Sequence, residues 1–596
     1  PFLPENGTDV TIAPSAKTGT VTLTASSALF ETSHVGSLWK LTHYVEESSV
    51  SGSFSANGNS ATVPTKGSWQ FVTHGTWTAT LKIQRSFDNG TTWLDIRSFV
   101  GKDDRNLDVT GEEDEEDVIY RINCSGYSSG TATYEFHVRE KIRDGVVEIA
   151  TVTSATSATA TVQRRLGGTA ATKLWAEGAW SSKRGYPRTC MFFQERLVFA
   201  GSLDEPQTVW MSQTADYENF WTSREALDSD AITATIAARQ VNAIRAVVPL
   251  GDLLVMTSGG EWKIAAGDQP VTPSSLTVTA QGYRGISTLK PIVAGNSVLF
   301  VQDKGNSVID FGYSLEADGY DGKDRSILAA HLFGGHSLLD WDYQQIPWSI
   351  AWTVRDDGAL LGFTYLKEHD VWAWHTHDTV HGAFESVCSV SASGRDDVYV
   401  VARREIGGET VRYVEQLMPR ITGPLEDMFY VDCGLSYDGA PADSLSGLDH
   451  LEGETVAILA DGHVHPQRVV ESGTIELEYE ASVVHVGLPV TSDLETLNIE
   501  LETRDGTAQG KKKRISSVVL RVEKSRGGWV GPDVSRLSEL KPNHPSVWDD
   551  PIGLVTGDVK LVLRSGWDEG GRVWIRQSDP LPLTVLAVIP EVTYGG

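Results

Sequence analysis

Five apolar strand cores punctuate the middle of the 596-residue chain: LVFA from Leu197, LVMT from Leu254, VLFV from Val298, IAWTV from Ile350 and VYVVA from Val398. Successive cores start 57, 44, 52 and 48 residues apart. Each is followed by a turn and a second strand-like run: TVWMS, EWKIA, SVIDFGYS, ALLGFTYL and TVRYVEQL. Short apolar runs bounded by turn residues read as buried strands. A strand pair cannot bury its own faces, so units recurring at this period must stack on one another. The spacing predicts an irregular β-propeller over residues 184–424. A long meander or stacked sandwiches satisfy the same pattern, and no WD or kelch signature recurs. Residues 228–248 have the most helical composition of this region and read as a short connection between blades.

The flanks are also β in character. Residues 1–66 alternate Thr, Val and Leu with Ser and Gly, as in VTLTASSALF and SLWKLTHYV. Over 67–140 the strands lengthen (WTATLKIQRS, TTWLDIRSFV, DVIYRINCSG, ATYEFHVRE), and their alternation fits an Ig- or jelly-roll-like sandwich. Residues 141–183 read as linker and connecting strands, with the small, polar run TVTSATSATATVQRRLGGT inside them. Beyond 425, strands separated by Asp-Gly turns form another β domain. The 57 glycines and 18 tryptophans suit hairpins. The fold class expected is all-β and multidomain, a central propeller flanked by β-sandwich and further β domains.

Composition excludes some functions. With 79 acidic and 50 basic side chains the formal charge is −29, and no basic face for reading duplex DNA is expected. Cys124, Cys190, Cys388 and Cys433 are scattered, without CxxC spacing, and read as ordinary core thiols from a reducing compartment. No apolar run is long enough for a transmembrane helix, and no signal peptide is visible. The chain opens PFLPENGTD rather than with Met, so an upstream segment is expected.

Candidate chemistry is sparse. SFDNGTTW, Ser86 to Trp93, matches the Asp-box of sialidases: Asn89-Gly90 supplies a tight turn, Asp88 can bind turn amides and Trp93 packs on the next strand. That motif is structural. His369, His375, His377 and His381 cluster in EHDVWAWHTHDTVH, where His375 and His377 share one strand face; a metal pair is geometrically possible, without a convincing third ligand. Asp461, His463 and His465 read likewise as surface strand residues. The acidic run EEDEED, residues 112–117, reads as a solvated loop, with calcium binding as the minor alternative. Gly126-Tyr127-Ser128-Ser129-Gly130 has the GxSxG form but is followed by a strand, so a hairpin turn is expected. Lys511, Lys512, Lys513 and Arg514 make the one sharp basic run, expected on a loop as a polar contact for a phosphate or an acidic partner. No catalytic, metal or cofactor residues are assigned.

The segments GYPRTCMFFQERLVFAGSLDEPQTVWMSQTADYENF, AARQVNAIRAVVPLGDLLVMTSGGEWKI and VLFVQDKGNSVIDFGYSLEADGY resemble the tail nozzle proteins of short-tailed bacteriophages, the tail tubular protein B family. SGLDHLEGETVAILADGHVHP, ASVVHVGLPV and PLPLTVLAVIPEV extend the resemblance over residues 184–596. It implies a podovirus virion protein made in the bacterial cytoplasm: a homohexamer below the portal, docked on the adaptor ring, with tail fibres or spikes attached. Double-stranded DNA would pass through its lumen without specific binding. A propeller would lie at the periphery, and residues 1–66 and 425–596 would build a platform. The rival readings are a carbohydrate-binding or glycoside-hydrolysing propeller protein, or a metal-dependent hydrolase using the His369–His381 cluster.

Overall fold

A computed structural model describes all residues except 45–47, 103–105, 116, 140–141, 225, 239, 305, 421–422, 501, 504–505, 542–550 and 596. The chain is almost entirely β; its one α-helix among the described residues, Ala330–Phe333, is a single turn. It divides into two compact units, residues 1–285 and 286–596.

In the first unit, a six-stranded antiparallel sheet runs in the order Ile12–Pro14, Thr20–Ala25, Ser157–Arg164, Ile142–Ser154, Leu38–Tyr44, Trp175–Glu177. Its core gathers Leu23, Leu41 and Val147 around Trp39, whose ring lies 5.2 Å from that of Trp175. The small, polar run 151–169 lies largely in the hairpin of this sheet.

The chain between its third and fourth strands in sequence forms two further sheets whose inner faces meet. Trp77, Ala79, Leu81 and Ile83 alternate inward from one; Trp69, Phe71 and Phe136 face them from the other. That period of two is the pleat of a half-buried strand. Each large side chain so buried contributes about 1.5–3 kcal/mol.

Five antiparallel meander sheets follow. The first comprises Thr189–Phe193, Arg196–Ala200, Thr208–Met211 and Ile232–Thr235; the second Ile244–Pro249, Leu253–Thr257, Gly260–Ala265 and Thr277–Gly282. Residues 228–248, expected as a helical connection, instead supply strands to both. Ile232 and Ala234 alternate inward with exposed Thr233 and Thr235, and pairing with Thr208–Met211 overrides the alanine content. Arg196 is buried and donates to the carbonyls of Ser212, Asp228 and Asp230 at 2.6–2.8 Å, tying the loop to its sheet.

In the second unit, the third sheet is Ile292–Ala294, Ser297–Val301, Val308–Ser314 and Gly319–Asp324. The fourth is Leu338–Gln344, Ile350–Arg355, Leu360–Leu366 and Val371–His377. The fifth has three strands, Gly382–Ala392, Arg395–Ile406 and Glu409–Leu417. Strands such as Leu253–Thr257 and Ser297–Val301 are buried at every residue because both faces are covered, which explains their unbroken apolar sequence. First strands of successive sheets lie side by side: first with second in one unit, third with fourth and fourth with fifth in the other.

The C-terminal region holds a sheet ordered Asp432–Ser446, Thr474–Leu488, Thr455–Ala460, His463–Val469. Beyond it, a three-stranded sheet centred on Lys512–Ser525 packs against a four-stranded one containing Trp529–Gly531 and Trp574–Gln577. Among the described residues no helix is long and apolar enough to cross a membrane.

Candidate functional site

A cavity of about 750 Å³ opens in the second unit where the fourth and fifth meander sheets meet the strand starting at Asp432. Two of its lining residues, Glu415 and Asp432, belong to an ion cluster. Arg404 has no exposed surface and grips Glu415 with two bonds of 2.8 and 2.7 Å; it also reaches Asp432 at 3.1 Å. The hydroxyl of Thr379 accepts from Arg404 and donates to Asp432. Burial pulls the guanidinium pKa down, but the Glu415 bonds and the two carboxylate charges outweigh it, so Arg404 is held firmly protonated. Three strands are thereby fastened together, because Arg404, Glu415 and Asp432 each come from a different one, and Thr379 adds the loop before Gly382–Ala392.

On the fourth sheet, His375 Nδ1 and His377 Nε2 lie 2.8 Å apart, both rings against Trp352. Gly362 stands opposite His375 in the ladder, and a Cβ there would collide with the ring, so the glycine makes the room. Burial, then the neighbouring His377, pushes His375 down to about 4, and burial lowers His377 too; both rings are neutral at pH 7. Arg420 stacks on Trp348, 4.5 Å from its ring centre. Burial and the Glu415 charge push the Cys433 thiol up to about 12, the protonated state that makes a poor nucleophile. The arrangement offers aromatic surface, a neutral imidazole pair and locked carboxylates, which suits binding.

The other residues singled out from sequence disperse. His369 is exposed in a 3₁₀ turn and His381 pairs with Glu454 at 3.0 Å; neither joins the His375–His377 pair in a metal-ligating group. Among the described residues such a grouping forms instead from His336, Asp356 and Asp357, on the surface, with Arg355 bound to Asp357. Sequence reading missed it because His336 is distant from the two acids along the chain. Asp461 caps a turn by accepting from the amides of Ser482 and Val483, His463 is half-buried, and buried His465 accepts from the Glu478 amide.

Lys511, Lys512, Lys513 and Arg514 do not form a loop tip. Lys512–Ser525 is a strand, so alternate side chains point opposite ways. Lys512 and Arg514 are exposed, whereas Lys513 is buried and donates to the Glu569 carbonyl at 2.8 Å. The acidic run also divides. Glu112 and Glu113 end a strand, Glu113 is buried and accepts from Tyr120 at 2.7 Å, and Glu116 lies outside the described residues. In the Asp-box, Asp88 accepts from the Thr92 amide at 2.8 Å, and Trp93 stacks on Arg121 of the strand Ile119–Gly130. Residues 126–130 are the bulged end of a strand that turns back at Gly130. Of the cysteines, Cys124 is buried, but Cys190 and Cys388 are exposed, against the expectation of core thiols.

Residues 188–325 match the family model described as bacteriophage nozzle protein. This stretch belongs to the nozzle family. The nozzle segment starts one residue before the first strand of the first meander sheet and ends one residue after the last strand of the third, so it spans three whole sheets. The match supports a structural protein of a phage tail. No curated protein matches this chain. Among solved structures, a single-site variant of an exo-beta-1,3-galactanase from Phanerochaete chrysosporium, with beta-1,3-galactotriose, is 10% identical, with 68% of this chain and 96% of that one covered and a TM-score of 0.21. The same enzyme with galactose gives 9%, 69%, 96% and 0.20. At such TM-scores the likeness carries no argument about this chain.

Proposed function

We propose that the chain is a structural subunit of a short-tailed phage's tail nozzle, a hexameric ring that extends the DNA-ejection channel below the portal and adaptor and helps dock tail fibres. The observation that carries this reading is the nozzle-family match at residues 188–325. The side-by-side first strands of successive meander sheets support a propeller over residues 184–424. Its neighbours are a sandwich, expected at 67–140 but including strands from Ser48 onward, and a platform expected from 1–66 and 425–596, whose N-terminal part shares one sheet with the strands of 141–183. In a closed cyclic ring the contact is heterologous, so different patches of one subunit meet. The formal charge of −29 gives the conduit its physics: acids lining the lumen repel phosphates, and the duplex slides without binding. Lys512 and Arg514, exposed on one strand, are the basic contacts offered to an acidic partner. Imaging the purified chain, alone and on its adaptor ring, tests the reading: a six-fold ring with a central hole is expected, and a monomer that ignores the adaptor would overturn it.

A further inference from the structure

Val371–His377 is the last strand of the fourth meander sheet, and on it His375 and His377 stand two residues apart on one face. Their nearest ring nitrogens, Nδ1 of His375 and Nε2 of His377, are 2.8 Å apart, with the ring planes at 80°. Trp352 walls both rings, at 5.5 and 5.2 Å between centres. The indole is itself fixed, because it is buried and its Nε1 donates to Gln344 at 3.2 Å. Across the ladder from His375 lies Gly362, where a Cβ would stand 2.0 Å from the imidazole Cε1. Any larger residue there would push the ring out of place. His377 is exposed and, with Asp378, lines the cavity, so the pair is reached from solvent.

A hydrogen bond accounts for the contact by itself, one ring N–H donating to the lone pair of the other. The same spacing suits a second use. Two metal–imidazole bonds of about 2.0–2.1 Å would meet over the 2.8 Å gap at about 85–90°. Tetrahedral coordination, the habit of zinc, needs an angle near about 109° and so nitrogens about 3.3–3.4 Å apart. A right angle belongs to adjacent corners of a square-planar or tetragonal site, the geometry of copper(II) and nickel(II). For the ion to enter, the bridging proton moves to the second nitrogen of its own ring. Both imidazoles stay neutral, and the exposed His377 turns to aim its lone pair at the ion. Of the charges that act on the pair, Arg420 opposes a cation, whereas Asp378 and Asp432 favour it, and Arg404 already holds Asp432.

We propose that His375 and His377 form a bidentate site for a divalent transition-metal ion of square-planar or tetragonal preference, copper(II) foremost, with water filling the remaining positions. The site is built within one subunit and does not depend on the nozzle reading, which stands or falls on the ring.

The test titrates the untagged full chain with copper(II) sulfate in a non-coordinating buffer. Tryptophan fluorescence should be quenched to saturation at one equivalent, and the electron paramagnetic resonance of the bound copper should show coupling to two imidazole nitrogens. His375→Ala and His377→Ala should each weaken binding by more than the about 10–100-fold that changes outside a ligand set cost, with far-UV circular dichroism unchanged as proof of folding. Trp352→Phe should remove most of the quenching yet keep both nitrogen couplings. His336→Ala, which disrupts the surface group of His336, Asp356 and Asp357, should leave copper binding intact. Nickel(II) should bind more tightly than zinc(II). Absence of saturable binding, or copper held undiminished by either variant of the pair, would overturn the proposal. So would loss of binding in His336→Ala, full quenching in Trp352→Phe, or a preference for zinc(II) over nickel(II).

Discussion

Some of the buried charge in this chain is ion-paired, and there the partners set what each substitution costs. Replacing Arg404 with Met leaves Glu415 and Asp432 facing each other without a cation, and we expect a loss of about 3–5 kcal/mol in urea unfolding of the second unit. Asp310 shows the same logic with a pH signature. It is buried, which alone would raise its pKa, but bonds of 3.0 and 2.6 Å from Arg325, together with Lys367, hold it below the ordinary value. The folded carboxyl thus takes a proton less readily than the unfolded one. Its contribution is complete above the unfolded pKa of about 3.9 and is lost as pH falls through the folded value. Acid unfolding followed below pH 4 should be steeper for the parent than for Asp310→Asn.

His375 has the opposite charge type. With its pKa lowered to about 4, the folded protein binds fewer protons than the unfolded chain, so stability present above the unfolded value of about 6.5 declines as pH falls toward 4. Ring proton shifts in NMR should titrate near 4; a midpoint near 6.5 would contradict the packing described. The His375–His377 face was legible from strand alternation. The ion cluster was not, because Arg404, Glu415 and Asp432 are ordinary strand residues in sequence and meet only by tertiary packing.

At the scale of elements, period-two patterning carried most of the information. The five apolar cores each became a strand of a meander sheet: those at Leu254, Val298 and Ile350 are covered on both faces, and those at Leu197 and Val398 alternate buried with half-buried residues. Composition misled where pairing decides. Residues 228–248 look helical but complete one sheet and begin the next, and the run Lys511 to Arg514 looks like a loop but opens a 14-residue strand. Glycines opposite aromatics mark close sheet packing that sequence does not announce. Gly111 lies across the ladder from Trp69, with the indole where its Cβ would go. Gly111→Val should therefore cost about 1–3 kcal/mol, read as a lowered Tm. The three-stranded fifth sheet is equally invisible in sequence, since a missing strand leaves no residues to read.

For the whole molecule, the resemblance read from residues 184–596 is supported through the family match at 188–325, while assembly is a property of several chains. In the proposed ring, a charge of −29 per subunit would make closure compete with self-repulsion, which salt screens within about 8 Å at physiological ionic strength. Assembly should therefore require salt, with a larger ring fraction at about 0.5 M than at about 0.02 M by light scattering. The most direct test of the central claim is electron microscopy of the chain mixed with the proposed adaptor ring. The account predicts a six-fold ring with an open, acid-lined channel; a lumen lined by basic side chains, or a chain that stays monomeric on the adaptor, would contradict it.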